Sequence, residues 1–87
     1  MNQRNDVYIS YDPKFDVLYY NFSNAGNAYG DDGDYGIVTF HDFDTDEITG
    51  YTIIGFGKSV KDHGAAYNSI KQLFDANRIY KQYCLEQ

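Results

Sequence analysis

Asp42-Phe43-Asp44-Thr45-Asp46 places a carboxylate at every second residue, the spacing with which a calcium loop begins to surround a hard cation with oxygen ligands. The rest of that loop is missing. Position six, which needs glycine for the sharp turn, is Glu47, and position twelve, which needs a bidentate glutamate, is Ile53. A second acidic turn, Asp31-Asp32-Gly33-Asp34, offers the same ligand type without the pattern. Gly57-Lys58-Ser59 ends like a phosphate-binding loop, but the glycine that should open it falls at Thr52, so the backbone cannot form the wide anion cradle. Those glycines are expected instead to let the chain leave a strand and turn into a helix. His41 and His63 are the histidines, and neither has a third ligand or a nucleophile at a telling distance along the chain. Cys84 is the one cysteine; it excludes an intramolecular disulfide and a cysteine-based zinc site, and its place on an apolar stripe makes it a small hydrophobe. No catalytic residue, metal site or cofactor is assigned from these motifs.

The charge layout is more informative. From Asp31 to Glu47 the chain holds seven carboxylates (Asp31, Asp32, Asp34, Asp42, Asp44, Asp46, Glu47) and no lysine or arginine, with Tyr35, Phe40 and Phe43 threaded among them. Such crowding costs self-repulsion, so it is either solvated turn chemistry or a surface for a cationic partner. Residues 1–62 carry eleven acids and four bases, whereas residues 63–87 carry two acids and three bases, which places the acidity on the sheet loops. With a net charge of −6 the protein is expected to repel nucleic acid and anionic membranes. The polar start Met-Asn-Gln-Arg-Asn-Asp has no apolar stretch of a secretion signal, so a cytoplasmic location is expected.

The elements that must position these groups follow from periodicity. Eighty-seven residues suffice for one domain with one core, and ten tyrosines and six phenylalanines must do much of the packing. Val7 to Tyr11, Val17 to Ser23, Ile37 to Phe43 and Tyr51 to Phe56 read as strands, the first two joined by a turn in which Pro13 fixes φ. Asn24 to Gly36, rich in glycine and aspartate, reads as a loop. In the second strand Leu18, Tyr20 and Phe22 face one way and Val17 and Tyr19 the other, so one face lies under the helix and the other is open to a second copy of the protein.

The segment from about residue 62 to 85 reads as one long helix whose stripe of Ala66, Ile70, Leu73, Phe74, Tyr80 and Cys84 covers the sheet. Asn77 falls within that stripe and needs hydrogen-bond partners if buried. Ser59 with Asp62 has capping-box spacing and marks a helix start. Ile79 and Tyr83, with Ala76, lie off the stripe and are expected to form a dimer or partner contact. The expected class is thus α+β, a four-stranded mainly antiparallel sheet of two hairpins covered by one C-terminal helix.

The run Tyr11-Asp12-Pro13-Lys14-Phe15-Asp16-Val17-Leu18-Tyr19-Tyr20 resembles the opening of small bacterial proteins grouped as domain of unknown function 2283. Gly36-Ile37-Val38, an acidic turn and Thr49-Gly50-Tyr51-Thr52-Ile53-Ile54 are similar to that family's second hairpin, so the resemblance spans about residues 8–56. The family has no established activity; the resemblance implies a short β-rich protein of the kind encoded beside other small genes, toxin–antitoxin pairs among them. This chain departs from the pattern in its longer Asn24–Gly36 loop and its appended helical part.

The functional expectation is a non-catalytic binding module. Asp31, Asp32, Asp34, Tyr35, Asp42, Asp44, Asp46 and Glu47 would meet a basic protein partner such as a nuclease or another nucleic-acid-handling effector, as an antitoxin or a phage-encoded anti-defence inhibitor does. A calcium-binding module and a small enzyme are the alternatives, and solubility alone is the plainest use of the acids.

Overall fold

The computed structural model describes residues 7–22 and 27–85. Its sheet is antiparallel and has five strands: β1 (Tyr8–Asp12), β2 (Val17–Asn21), β3 (Ala28–Asp32), β4 (Ile37–Asp42) and β5 (Ile48–Ile54), in the order β1-β2-β5-β4-β3. The expected hairpin at Pro13 is present, with Asp12 facing Val17 and the Asp12 carboxylate accepting hydrogen bonds from the backbone N–H groups of Lys14 and Phe15.

The four-strand expectation is corrected by β3, which occupies part of the span expected to be a loop; residues 24–26 of that span lie outside the described residues. The reason is positional. As the edge strand, β3 is exposed along its whole length and pairs on one side only, so Ala-Tyr-Gly-Asp-Asp needs no apolar alternation. Backbone pairing with β4, from Ala28 opposite Asp42 to Asp32 opposite Val38, makes the strand.

The single C-terminal helix is also corrected. In its place stand α1 (Phe56–Asp62), α2 (Ala65–Ile70), α3 (Ala76–Tyr80) and a π-helical turn over Lys81–Leu85. A straight helix over residues 62–85 would run about 36 Å at 1.5 Å per residue, whereas five- to seven-residue strands make a sheet only about 17–23 Å long. Breaks at left-handed His63 (φ 55°) and at Asp75 fold the apolar residues back over that short surface. Ser59 lies inside α1 and starts nothing; the chain turns at left-handed Gly55 (φ 76°), where glycine carries no steric cost.

Register fixes the two faces. Tyr11–Leu18–Ile53–Ile37 and Ile9–Tyr20–Tyr51–Thr39 run across the sheet as facing residues, and this is the side the helices cover. Leu18, Ile53, Phe56 and Ile70 are fully buried there, Tyr20 stacks on Phe74 with ring centroids 4.3 Å apart, and Leu73, Tyr80 and Cys84 are half-buried against the same cluster. Ala76 and Ile79 belong to this core as well, and Ile79 is 2% exposed. The expected partner contact at Ile79 is therefore overturned: once the helix breaks, α3 turns this residue inward. Tyr83 is half-buried against the core. Asn77 is exposed, and its Nδ2 donates to the Tyr67 hydroxyl at 2.7 Å.

Candidate functional site

Antiparallel pairing divides the acidic segment into two groups. Asp31 and Asp32 end β3, with Asp34 and Tyr35 in the short 3-10 turn that follows, while Asp42, Asp44, Asp46 and Glu47 lie at the far end of β4. Asp31 lies opposite Thr39, so three residues of β4, about 10 Å, separate it from Asp42, and Asp34 lies farther off beyond the start of β4. Asp31 and Asp32 also point to opposite faces, as neighbours on a strand must. The acids thus form two patches along one flank of the sheet instead of one continuous rim.

The two patches differ in what their carboxylates do. Asp42 folds its Oδ1 onto its own turn, accepting from the backbone N–H groups of Asp44 at 2.8 Å and Thr45 at 3.1 Å. Asp46, left-handed at φ 64°, accepts the Tyr29 hydroxyl at 2.6 Å, and that hydrogen bond raises the Tyr29 phenol above its ordinary pKa. Tyr29 in turn stacks on His41 and meets Phe43 edge-on. Asp42 and Asp46 therefore hold a turn together; among the described residues no three of His, Cys, Asp and Glu are grouped to hold a metal. Asp31, Asp32, Asp34, Asp44 and Glu47 are exposed, as are the rings of Tyr29, Tyr35 and Phe43. Between Lys14 and Lys58 the chain has no lysine or arginine, so neither is carried by β2, β3, β4 or β5.

A second polar constellation escapes sequence reasoning because it joins residues 41 positions apart. Asp16, left-handed at φ 58°, ends the β1–β2 turn and caps α1: its Oδ1 accepts the Gly57 N–H at 2.7 Å and its Oδ2 the Lys58 N–H at 3.1 Å. Its backbone carbonyl accepts from Gly55 and Phe56 as well. The Tyr11 hydroxyl donates to the same Oδ1 at 2.6 Å. A Cβ at Gly57 would lie 2.8 Å from that oxygen, so this glycine permits the close approach. The anion seat suggested by Gly57-Lys58-Ser59 is thus filled by the protein's own carboxylate.

Beside this junction lies an open cavity of about 480 Å³, lined among others by Tyr11, Asp16, Lys58, Lys61, Tyr80 and Cys84. Burial, then the hydrogen bond to Asp16, pushes the Tyr11 phenol far above its ordinary pKa; burial likewise pushes the Cys84 thiol up. Both stay protonated near neutrality, so neither is an activated nucleophile there.

The site and fold define a small α+β domain with an acidic, aromatic sheet flank. Comparison of the chain with protein-family models, with curated proteins and with solved structures gave no match. No helix among the described residues is long and apolar enough to cross a membrane.

Proposed function

We propose that this protein is a non-catalytic binding module whose β3–β4 flank captures a basic protein partner, one that handles nucleic acid, by offering carboxylates where phosphates would lie. The observation that carries this reading is the exposed set Asp31, Asp32, Asp34, Asp44 and Glu47, interleaved with exposed Tyr29, Tyr35 and Phe43, on β3 and the turns that flank β4, a stretch without a single lysine or arginine. Acids on a stretch that carries no lysine or arginine complement a basic groove, and the rings add apolar contact area. Capture of this kind blocks the partner's groove, which is how an antitoxin or an anti-defence inhibitor of a nuclease would act.

The test uses an arginine-rich peptide as probe, with binding followed by fluorescence anisotropy. Affinity should fall steeply between about 50 and 300 mM salt, and Asp31→Lys with Asp32→Lys and Asp34→Lys should abolish it while Asp62→Lys on α1 leaves most of it. Salt-insensitive binding, or a triple variant that binds as tightly as the parent, would overturn the reading.

A further inference from the structure

The helices cover one face of the sheet, and among the described residues no element packs on the other. Strand alternation puts Val17 and Tyr19 of β2, Thr52 and Ile54 of β5, and Val38 and Phe40 of β4 on that open side. Ile54 is 54% exposed and Tyr19 39%, yet this central field carries no charged side chain. We propose that a second copy of the chain closes this face, packing sheet on sheet about a two-fold axis that runs parallel to the strands.

The uncharged field suits a copy of itself, because each partner offers the same Val, Ile, Phe and Tyr surface and no carboxylate is trapped at the centre. The rim charges choose the axis. A two-fold across the strands would lay the Asp31–Asp34 end of one sheet over the Asp42–Glu47 end of the other, acid against acid. A two-fold along the strands instead lays β3 over the partner copy's β1; central β5 then lies over its own copy, so the two β4–β5 turns come to one open, solvated end, and what favours this axis is the cation it brings to β3. The end of β3 bearing Asp32 and Asp34 then meets the β1–β2 turn bearing Lys14, which is the only lysine or arginine between Val7 and Gly57. Asp12 shares that corner, but its carboxylate is bound to its own turn through the N–H groups of Lys14 and Phe15.

Size sets the strength. Five strands about 4.8 Å apart and about 17 Å long give a face of roughly 24 by 17 Å, small beside the roughly 800 Å² per partner of a standard interface. The dimer is accordingly reversible and concentration-dependent. It uses the open face, and the β4–β5 turn with Asp44 and Glu47 lies beyond the end of that face, next to the axis.

Sedimentation velocity of the full chain from about 5 to 500 µM tests the proposal, a range chosen for the weak end of interface sizes. The mass should rise from 10.0 kDa toward twice that value. Ile54→Lys, at an exposed position, should keep the protein monomeric at every concentration with its melting temperature at dilution unchanged. Lys14→Glu should weaken dimerisation roughly five-fold through two symmetry-related pairs, and adding Asp32→Lys should restore it. That recovery reports contact between copies, because within one chain the two residues lie at opposite edges of the sheet. A monomer throughout the range, or a dimer indifferent to Ile54→Lys, would overturn the proposal; a double variant that fails to recover would overturn the axis.

Discussion

Asp16 and Asp32 both sit at a strand end beside a turn, yet the fold gives them opposite work. Around Asp16 four backbone N–H groups and a tyrosine hydroxyl turn inward, so its carboxylate and carbonyl join the β1–β2 hairpin to α1. Asp32 stands exposed on the edge strand. What separates them is the supply of donors: a short helix begins next to one, and solvent lies next to the other. An acid in this chain is structural where the backbone returns to it and available to a partner where the sheet ends.

That contrast breaks if removing Asp16 is harmless. Asp16→Ala deletes a helix cap, strands the Tyr11 hydroxyl and puts alanine at a left-handed φ, which together should cost about 2–3 kcal/mol. Chemical denaturation would measure it. Gly57→Ala should do nearly as much, about 1–3 kcal/mol, because the new methyl meets Asp16 Oδ1 at 2.8 Å. Asp16→Asn, which tolerates the left-handed backbone and keeps one acceptor, should fall between these variants and the parent.

A pH titration sharpens the same side of the comparison. The Tyr11 pKa is raised in the folded protein, so its contribution is fully present below the unfolded tyrosine value of about 10 and is lost as pH climbs from there toward the folded value. Above about pH 10 the unfolded chain gives up this proton first, and stability falls with rising pH. Tyr11→Phe should flatten that alkaline decline in a series of urea melts, although Tyr51, raised by burial, will keep part of it. An unchanged slope would mean that the hydroxyl is neither buried nor held by Asp16 in solution.

How much of this was legible beforehand depended on whether a residue's neighbours were local. The hairpin at Pro13, strands at Val17, Ile37 and Tyr51, and the inward face of Leu18 and Tyr20 announced themselves through turn chemistry and alternation within a few residues. Strand β3 did not, because an exposed edge needs no apolar pattern. The helical breaks were hidden too: a residue's angle on an ideal helix cannot reveal that His63 and Asp75 interrupt it, and this placed Ile79 outside when it is inside. Asp16 was invisible as a cap since its donors lie 41 residues on. The acids of the flank could be counted from the sequence, but their division into two patches follows from the antiparallel course of β4.

Within the flank, Asp42 and Asp44 test the comparison at closer range. Asp42→Ala removes the acceptor for two turn N–H groups and should cost about 1 kcal/mol, whereas Asp44→Ala should fall within about 0.5 kcal/mol of the parent. Equal losses would mean that the turn is held by something other than its first aspartate.

The smallest stability effect belongs to the β3 end. Converting Asp31, Asp32 and Asp34 together to Asn removes three negative charges from a patch where no lysine or arginine accompanies them in β2–β5. If the folded protein places these carboxylates outward for a partner, thermal melts should move by no more than about 0.5 kcal/mol in stability, with slight stabilisation the expected sign because like charges are being relieved. The gain should be larger at low salt, where screening is weakest. A clear loss of stability would show that these acids, like Asp16, are bound by the chain's own donors, and the division between holding and offering carboxylates would fail at the place on which the binding proposal stands.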